Sequence, residues 1–184
     1  MSNINNLPKK EILLEKVYRL AFNFEREKHY CSQCTVAALQ EVFQIKSEEL
    51  FSTSFAFGGG FANTSEGTCG ALAGGAMIIS YFYGRRREEF FKGIPNKKAN
   101  YLTKELYDKF VQEYKSCICK DVQKKIFGRS FNFWDEKEKE LFETSGGHID
   151  KCPAVAAKTA QWTFKIIEEE INKSKDKRKG YEGK

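Results

Sequence analysis

Seven of the chain's fourteen glycines lie between positions 58 and 75, in GGGFANTSEGTCGALAGG. Glycine costs about 1 kcal/mol per helical position relative to alanine, so this stretch is too glycine-dense for an ordinary helix start. It predicts backbone that needs positive φ, or that must lie very close to another element. Thr68 is placed to cap a helix beginning at Cys69, which runs through Met77, Ile78 and Phe82 and ends at Gly84. On that helix Gly70, Gly74 and Gly75 leave room for a second helix or a cofactor.

The flanking sequence reads as helix. Leu13, Val17, Leu20 and Phe24 recur at helical spacing, predicting an amphipathic helix over 8–28 with Pro8 in its first turn. A second helix is expected from Cys31 to Phe43, and Ser47 followed by Glu48 and Glu49 opens a short one to about Ser54. Residues 97–127 place Leu102, Leu106 and Phe110 on one face, with a break expected near 115–118. Asp135 caps a charged helix to about Glu143. Pro153 fits the first turn of the last helix, where Val155, Trp162 and Ile166 line a face. Strand-like alternation is nearly absent. The expectation is one compact all-α domain over 1–172, of about six or seven helices with a glycine-rich loop, and a basic flexible tail over 173–184.

Composition narrows the class. A chain of 184 residues, 41% hydrophobic and 30% charged, is globular in type and long enough to bury a core without covalent staples. The net charge of +6 is mostly a tail effect, because 173–184 carry six basic and two acidic side chains. The body is close to neutral, so nucleic acid is not the expected partner. No apolar run approaches the roughly 20 residues of a membrane span. The opening MSNINNLPKKEILLEK has no apolar segment of the kind a secretory signal needs. A cytoplasmic protein is expected, whose reduced thiols are metal-binding or redox-active rather than bridged.

There are six of these thiols. Cys31 and Cys34, three apart on a helix, share a face, which suits two ligands of one metal or a dithiol that closes to a disulfide. Thr35 stands where covalent haem attachment needs histidine. Cys69 and Cys152 stand at expected helix starts, where partial positive charge favours a thiolate. Cys117 and Cys119 point in different directions within a continuous helix, so at most one faces a shared site unless the helix breaks there. Against each stands the reading of a buried cysteine as a small hydrophobe. With a single CxxC half, any four-ligand site must be assembled from distant helices. His148, four residues before Cys152, is read as a surface-loop histidine ahead of a ligand or proton donor, and His29 as an ordinary one. Arg85-Arg86-Arg87 is read as a solvated helix end ahead of a holder of phosphate or an acidic partner, and the 131–134 FNFW segment as core ahead of a wall that keeps water from a cluster.

Several of these pieces recur together. Tyr30-Cys31-Ser32-Gln33, Phe57-Gly58-Gly59-Gly60, Cys69-Gly70-Ala71-Leu72-Ala73-Gly74, the run from Phe110 to Tyr114 followed by Cys119, and Lys151-Cys152-Pro153 resemble the redox-active proteins named for a C-GCAxxG-C-C cysteine pattern. The resemblance spans roughly residues 10–170. It implies a helical domain with four family cysteines at Cys31, Cys69, Cys119 and Cys152, and Cys34 and Cys117 as additions. A similar module looks to be present in split-Soret cytochromes, which hold an iron–sulfur centre. By that resemblance an iron–sulfur cluster is the implied cofactor, and electron transfer to a redox partner protein the implied function. Cys31, Cys69, Cys119 and Cys152 are then metal ligands, with Cys34 an alternate ligand or resolving thiol. Gly58, Gly59, Gly60, Gly70 and Gly74 shape the cofactor site and supply N–H groups to the sulfurs. Two alternatives stand beside this: thiol–disulfide exchange with Cys31 and Cys34 as the catalytic dithiol, and a structural zinc ion.

Overall fold

The computed structural model describes residues 9–182, with side-chain environments over 10–174. The expected first-turn Pro8 lies outside the described residues. Among them are nine α-helices: α1 Lys9–Lys28, α2 Cys31–Phe43, α3 Glu48–Thr53, α4 Gly70–Tyr83, α5 Arg87–Phe91, α6 Lys97–Tyr114, α7 Cys119–Phe127, α8 Glu136–Thr144 and α9 Cys152–Glu182. A 3-10 turn at Phe55–Phe57 and a π-helical turn at Gly147–Lys151 complete the regular structure.

The all-α expectation holds, and the helix count is higher than six or seven. The break near 115–118 yields two full helices, with Lys115 left-handed at φ 67 as the C-cap of α6. The short α5 was not anticipated. It forms because the Arg86 N–H donates to Glu89 Oε2 at 2.6 Å, closing one turn on the surface. Arg85 and Arg87 lie over the exposed rings of Phe90 and Phe91, at 4.7 and 4.9 Å. From position 173 the basic stretch continues α9 as far as Glu182, and 183–184 lie outside the described residues.

Local capping chemistry explains several boundaries. Ser47 Oγ accepts the Leu50 N–H at 3.2 Å, and Asp135 Oδ1 accepts from Lys137 and Glu138 at 2.9 and 3.1 Å. Thr68 is the exception. Helix α4 starts one residue later than expected, with Cys69 at the N-cap, because Thr68 is drawn into an antiparallel bridge with Ile118.

Helix α9 is the axis of the fold, packing against α1, α2, α4 and α6. Val17 and Ala21 of α1, Val36 and Leu39 of α2, Ile78 and Ile79 of α4, and Leu106 and Phe110 of α6 meet its Ala156, Ala160, Phe164 and Ile167. Thr159 and Thr163 are buried on α9, and their hydroxyls donate back to Val155 and Thr159 carbonyls at 2.7 and 2.9 Å. These two buried hydroxyls are thereby satisfied without solvent. This bundle brings the N-terminal ends of α2, α4, α7 and α9 to one cavity.

Candidate functional site

The four helix starts each deliver one cysteine. Cys31 is the first residue of α2, Cys69 the N-cap of α4, Cys119 the first residue of α7 and Cys152 the first of α9. All four line a cavity of about 240 Å³, together with Gly59. Cys34 does not. It is buried one turn further into α2, where its thiol donates to the His29 carbonyl at 2.7 Å. Cys117 is half-buried, and its carbonyl accepts the Cys69 N–H at 2.8 Å. All six cysteines are free thiols.

Backbone pairing fixes Cys69 and Cys119 relative to one another. The strip 65–69 runs against 117–120, with Cys119 N–H donating to Gly67 O at 2.9 Å and Lys120 N–H to Ser65 O at 2.8 Å. Upstream, residues 59–63 are five consecutive left-handed residues, with φ between +49° and +74°. Phe61, Ala62 and Asn63 are not glycine, and each costs on the order of 1–2 kcal/mol in that conformation. Such strain persists only where surrounding structure demands it. Gly60 shows the demand: at φ +74 a Cβ there would sit 2.5 Å from Cys119 Cβ. The CGAxxG spacing has a packing reason of its own. A Cβ at Gly70 would stand 2.6 Å from Cys31 Sγ, and one at Gly74 would stand 2.6 Å from Ser32 O. Glycines four apart on α4 therefore let α2 lie directly against it. Gly74 serves that helix contact and is not on the cavity wall, while Gly58 packs under the Tyr30 ring.

The cavity is mostly apolar, with the carboxyls of Glu25 and Glu143 among its polar groups. Val122, Ile126, Phe133, Phe142 and Val155 supply its apolar surface. Of the FNFW segment only Phe131 is core; Phe133 faces the cavity and Trp134 is 74% exposed, donating its indole N–H to Ala62 O at 3.0 Å. The thiol of Cys31 is pushed well up by its hydrogen bond with Cys69 and by burial, partly offset by the Gly59 N–H. Burial first, then neighbouring negative groups, raises Cys152 strongly, and burial pushes Cys119 up to about 12 despite donation from Gln123 and Ser65. The thiolate expected at the start of α9 is therefore not what the fold favours without a cation, because desolvation outweighs the helix end.

Four residues were misjudged or missed. His29 and His148 are neither ordinary nor in a surface loop: both line the cavity, with ring centroids 3.7 Å apart. His29 is left-handed at φ 66, and His148 rides on the π-helical turn. Glu25 was not singled out. It is 2% exposed, lines the cavity, and is pushed up to about 7 by burial. Its signal lay in the register: Val17, Ala21 and Glu25 continue one buried ladder at spacing four. Gln123 was missed as well. It is 2% exposed and joins three elements, donating to Ser65 Oγ and Cys119 Sγ and accepting the Phe131 N–H.

A family model described as "Putative redox-active protein (C_GCAxxG_C_C)" matches residues 29–166, well over half of the chain. No curated protein and no solved structure matches it.

Proposed function

The chain belongs to the C-GCAxxG-C-C family, and from that premise we propose that Cys31, Cys69, Cys119 and Cys152 bind an iron–sulfur cluster through which the protein passes electrons to a redox partner. One observation carries the reading: four sulfurs from four helix starts meet on one cavity wall. Four thiols are the ligand set of such clusters, and soft sulfur donors select clusters, zinc or Cu(I) over hard cations. A bound cluster supplies one-electron redox chemistry.

The remaining work belongs to the chain's own residues. Helix starts offer N–H groups and partial positive charge to anionic sulfur. The Gly59 N–H reaches the Cys31 sulfur and Gln123 Nε2 reaches that of Cys119 at 3.3 Å. Donors to sulfur and exclusion of water are the levers that set a cluster's potential, and Phe133 and Phe142 supply the exclusion. Ligation also requires the buried thiols to give up their protons, so loading releases protons to solvent. The off-wall position of Cys34 speaks for four ligands without it, and against Cys31–Cys34 exchange as the leading reading. A cytoplasmic location goes with the same reading, since the six thiols are free.

Anaerobic purification with iron, sulfide and zinc analysis and a visible spectrum is the test. Brown protein with stoichiometric iron and sulfide is expected, and Cys69→Ser is expected to lose most of the colour. Colourless protein holding one zinc ion would move the reading to a structural zinc. Metal-free protein with a reversible Cys31–Cys34 disulfide would move it to thiol–disulfide exchange.

A further inference from the structure

Beside the four thiols, the same cavity carries a second donor set of different chemistry. His29, Glu143 and His148 each bring a ligand atom within 4.8 Å of those of the other two. His148 Nδ1 lies 2.6 Å from Glu143 Oε1, and its Nε2 lies 3.9 Å from Glu25 Oε1. Glu25 supplies an independent sign of a missing partner. It is 2% exposed on the cavity wall, and although the Cys34 thiol interacts with its carboxyl, its Oε2 has no hydrogen-bond partner among the described residues. A carboxylate buried in this way needs a proton or a cation against it. Lys139 also lines the cavity, but it pairs with Glu136 at 2.7 Å.

We propose that His29, Glu143 and His148, with the Glu25 carboxylate behind them, bind a divalent first-row transition ion such as Zn²⁺ or Fe²⁺ at a site separate from the four sulfurs. Imidazole and carboxylate take such ions, whereas four soft thiols take a cluster, so one cavity sorts two occupants by donor type. Donors held tetrahedrally at zinc bond lengths stand roughly 3.3–3.4 Å apart. The three ligand atoms all lie within 4.8 Å of one another, and the closest pair, His148 Nδ1 and Glu143 Oε1 at 2.6 Å, would open by less than about 1 Å to take the ion. The ion replaces the proton shared by His148 and Glu143 and offsets the buried charge of Glu25. The site does not depend on whether the sulfurs hold a cluster.

Anaerobic titration of the full reduced chain with Co²⁺ separates the two donor sets. Thiolate ligation gives intense charge-transfer absorption, and nitrogen–oxygen ligation gives only weak d–d bands. One Co²⁺ equivalent without thiolate charge transfer is expected. Its affinity should fall at least about tenfold in His148→Gln and in Glu143→Gln, and stay the same in Cys119→Ser. Glu143 is half-exposed, so its variant remains informative if His148→Gln does not fold by circular dichroism. Co²⁺ that carries thiolate charge transfer at every equivalent, or that binds equally well to both variants, overturns the proposal. So does a titration with no d–d bands. Protein purified without iron or sulfide, yet showing the histidine-dependent ion, would overturn the cluster reading and leave this one standing.

Discussion

Burial holds the Glu25 carboxyl neutral up to about pH 7, whereas a solvated glutamic acid ionises near 4.5. The folded chain thus binds a proton that the unfolded chain has released. The stability this contributes is fully present below 4.5 and is lost as pH rises through 7. In the presence of chelator, urea unfolding should therefore show wild type losing on the order of 3 kcal/mol relative to Glu25→Gln between pH 4.5 and pH 8. Parallel profiles for the two proteins would show that Glu25 does not carry this proton. Gln123 permits a second test at the same scale. Removing its amide strands the buried Phe131 N–H and takes one donor from Ser65 Oγ, which keeps its bond to the Phe131 carbonyl. Gln123→Leu is expected to cost about 1–3 kcal/mol in the same assay, and a loss under about 0.5 would contradict it. Neither residue announces itself by its type, because a glutamate in FEREK and a glutamine in CKDVQKK look like ordinary solvated helix positions; only the register from Val17 and Ala21 hints at Glu25. What buries them is the partner packed against their helix face.

Helix boundaries that depend on chemistry within a few residues were legible from the sequence. Ser47 and Asp135 cap as their local patterns predict, and α2 begins and ends at Cys31 and Phe43. Boundaries that depend on a distant strand of chain were not. Thr68 gave up its capping place to pair with Ile118, fifty positions away in sequence, and this put Cys69 at the N-cap. The glycine stretch shows both kinds of information at once. Its density predicted positive φ or close approach, and Gly60 has both; that the approach is to Cys119 required the fold. Gly74 tests the contact between α2 and α4. A methyl there meets the Ser32 carbonyl, which as helix backbone cannot turn aside. Gly74→Ala should lower unfolding free energy by about 1–3 kcal/mol, and under the cluster proposal should lower iron and sulfide content too if the α2–α4 contact holds Cys31 beside Cys69. An unchanged denaturation midpoint would show that the helices separate at little cost.

Across the whole molecule, stability is unevenly spread. The inner turns of α2, α4 and α9 bury Leu39, Ile78 and Ile167 completely, while α5 buries no residue and exposes Phe90 and Phe91. Hydrogen exchange followed by mass spectrometry should find the amides of α5 exchanging first and those of residues 155–167 last. Early exchange at the start of α9 would mean that the wall carrying Cys152 opens independently of the core. Helical class, most element positions and the four cysteines of the family pattern were all readable from the chain, because helical periodicity, capping and motif spacing are encoded within a few residues of one another. The tertiary structure alone decided which cysteines share a wall. It also set Cys34 aside, brought the rings of His29 and His148 to 3.7 Å between centroids, and buried Glu25 on the same cavity wall. Those outcomes depend on how four helix starts converge from positions 31, 69, 119 and 152. Convergence is a property of packed backbones, and no local spacing records it.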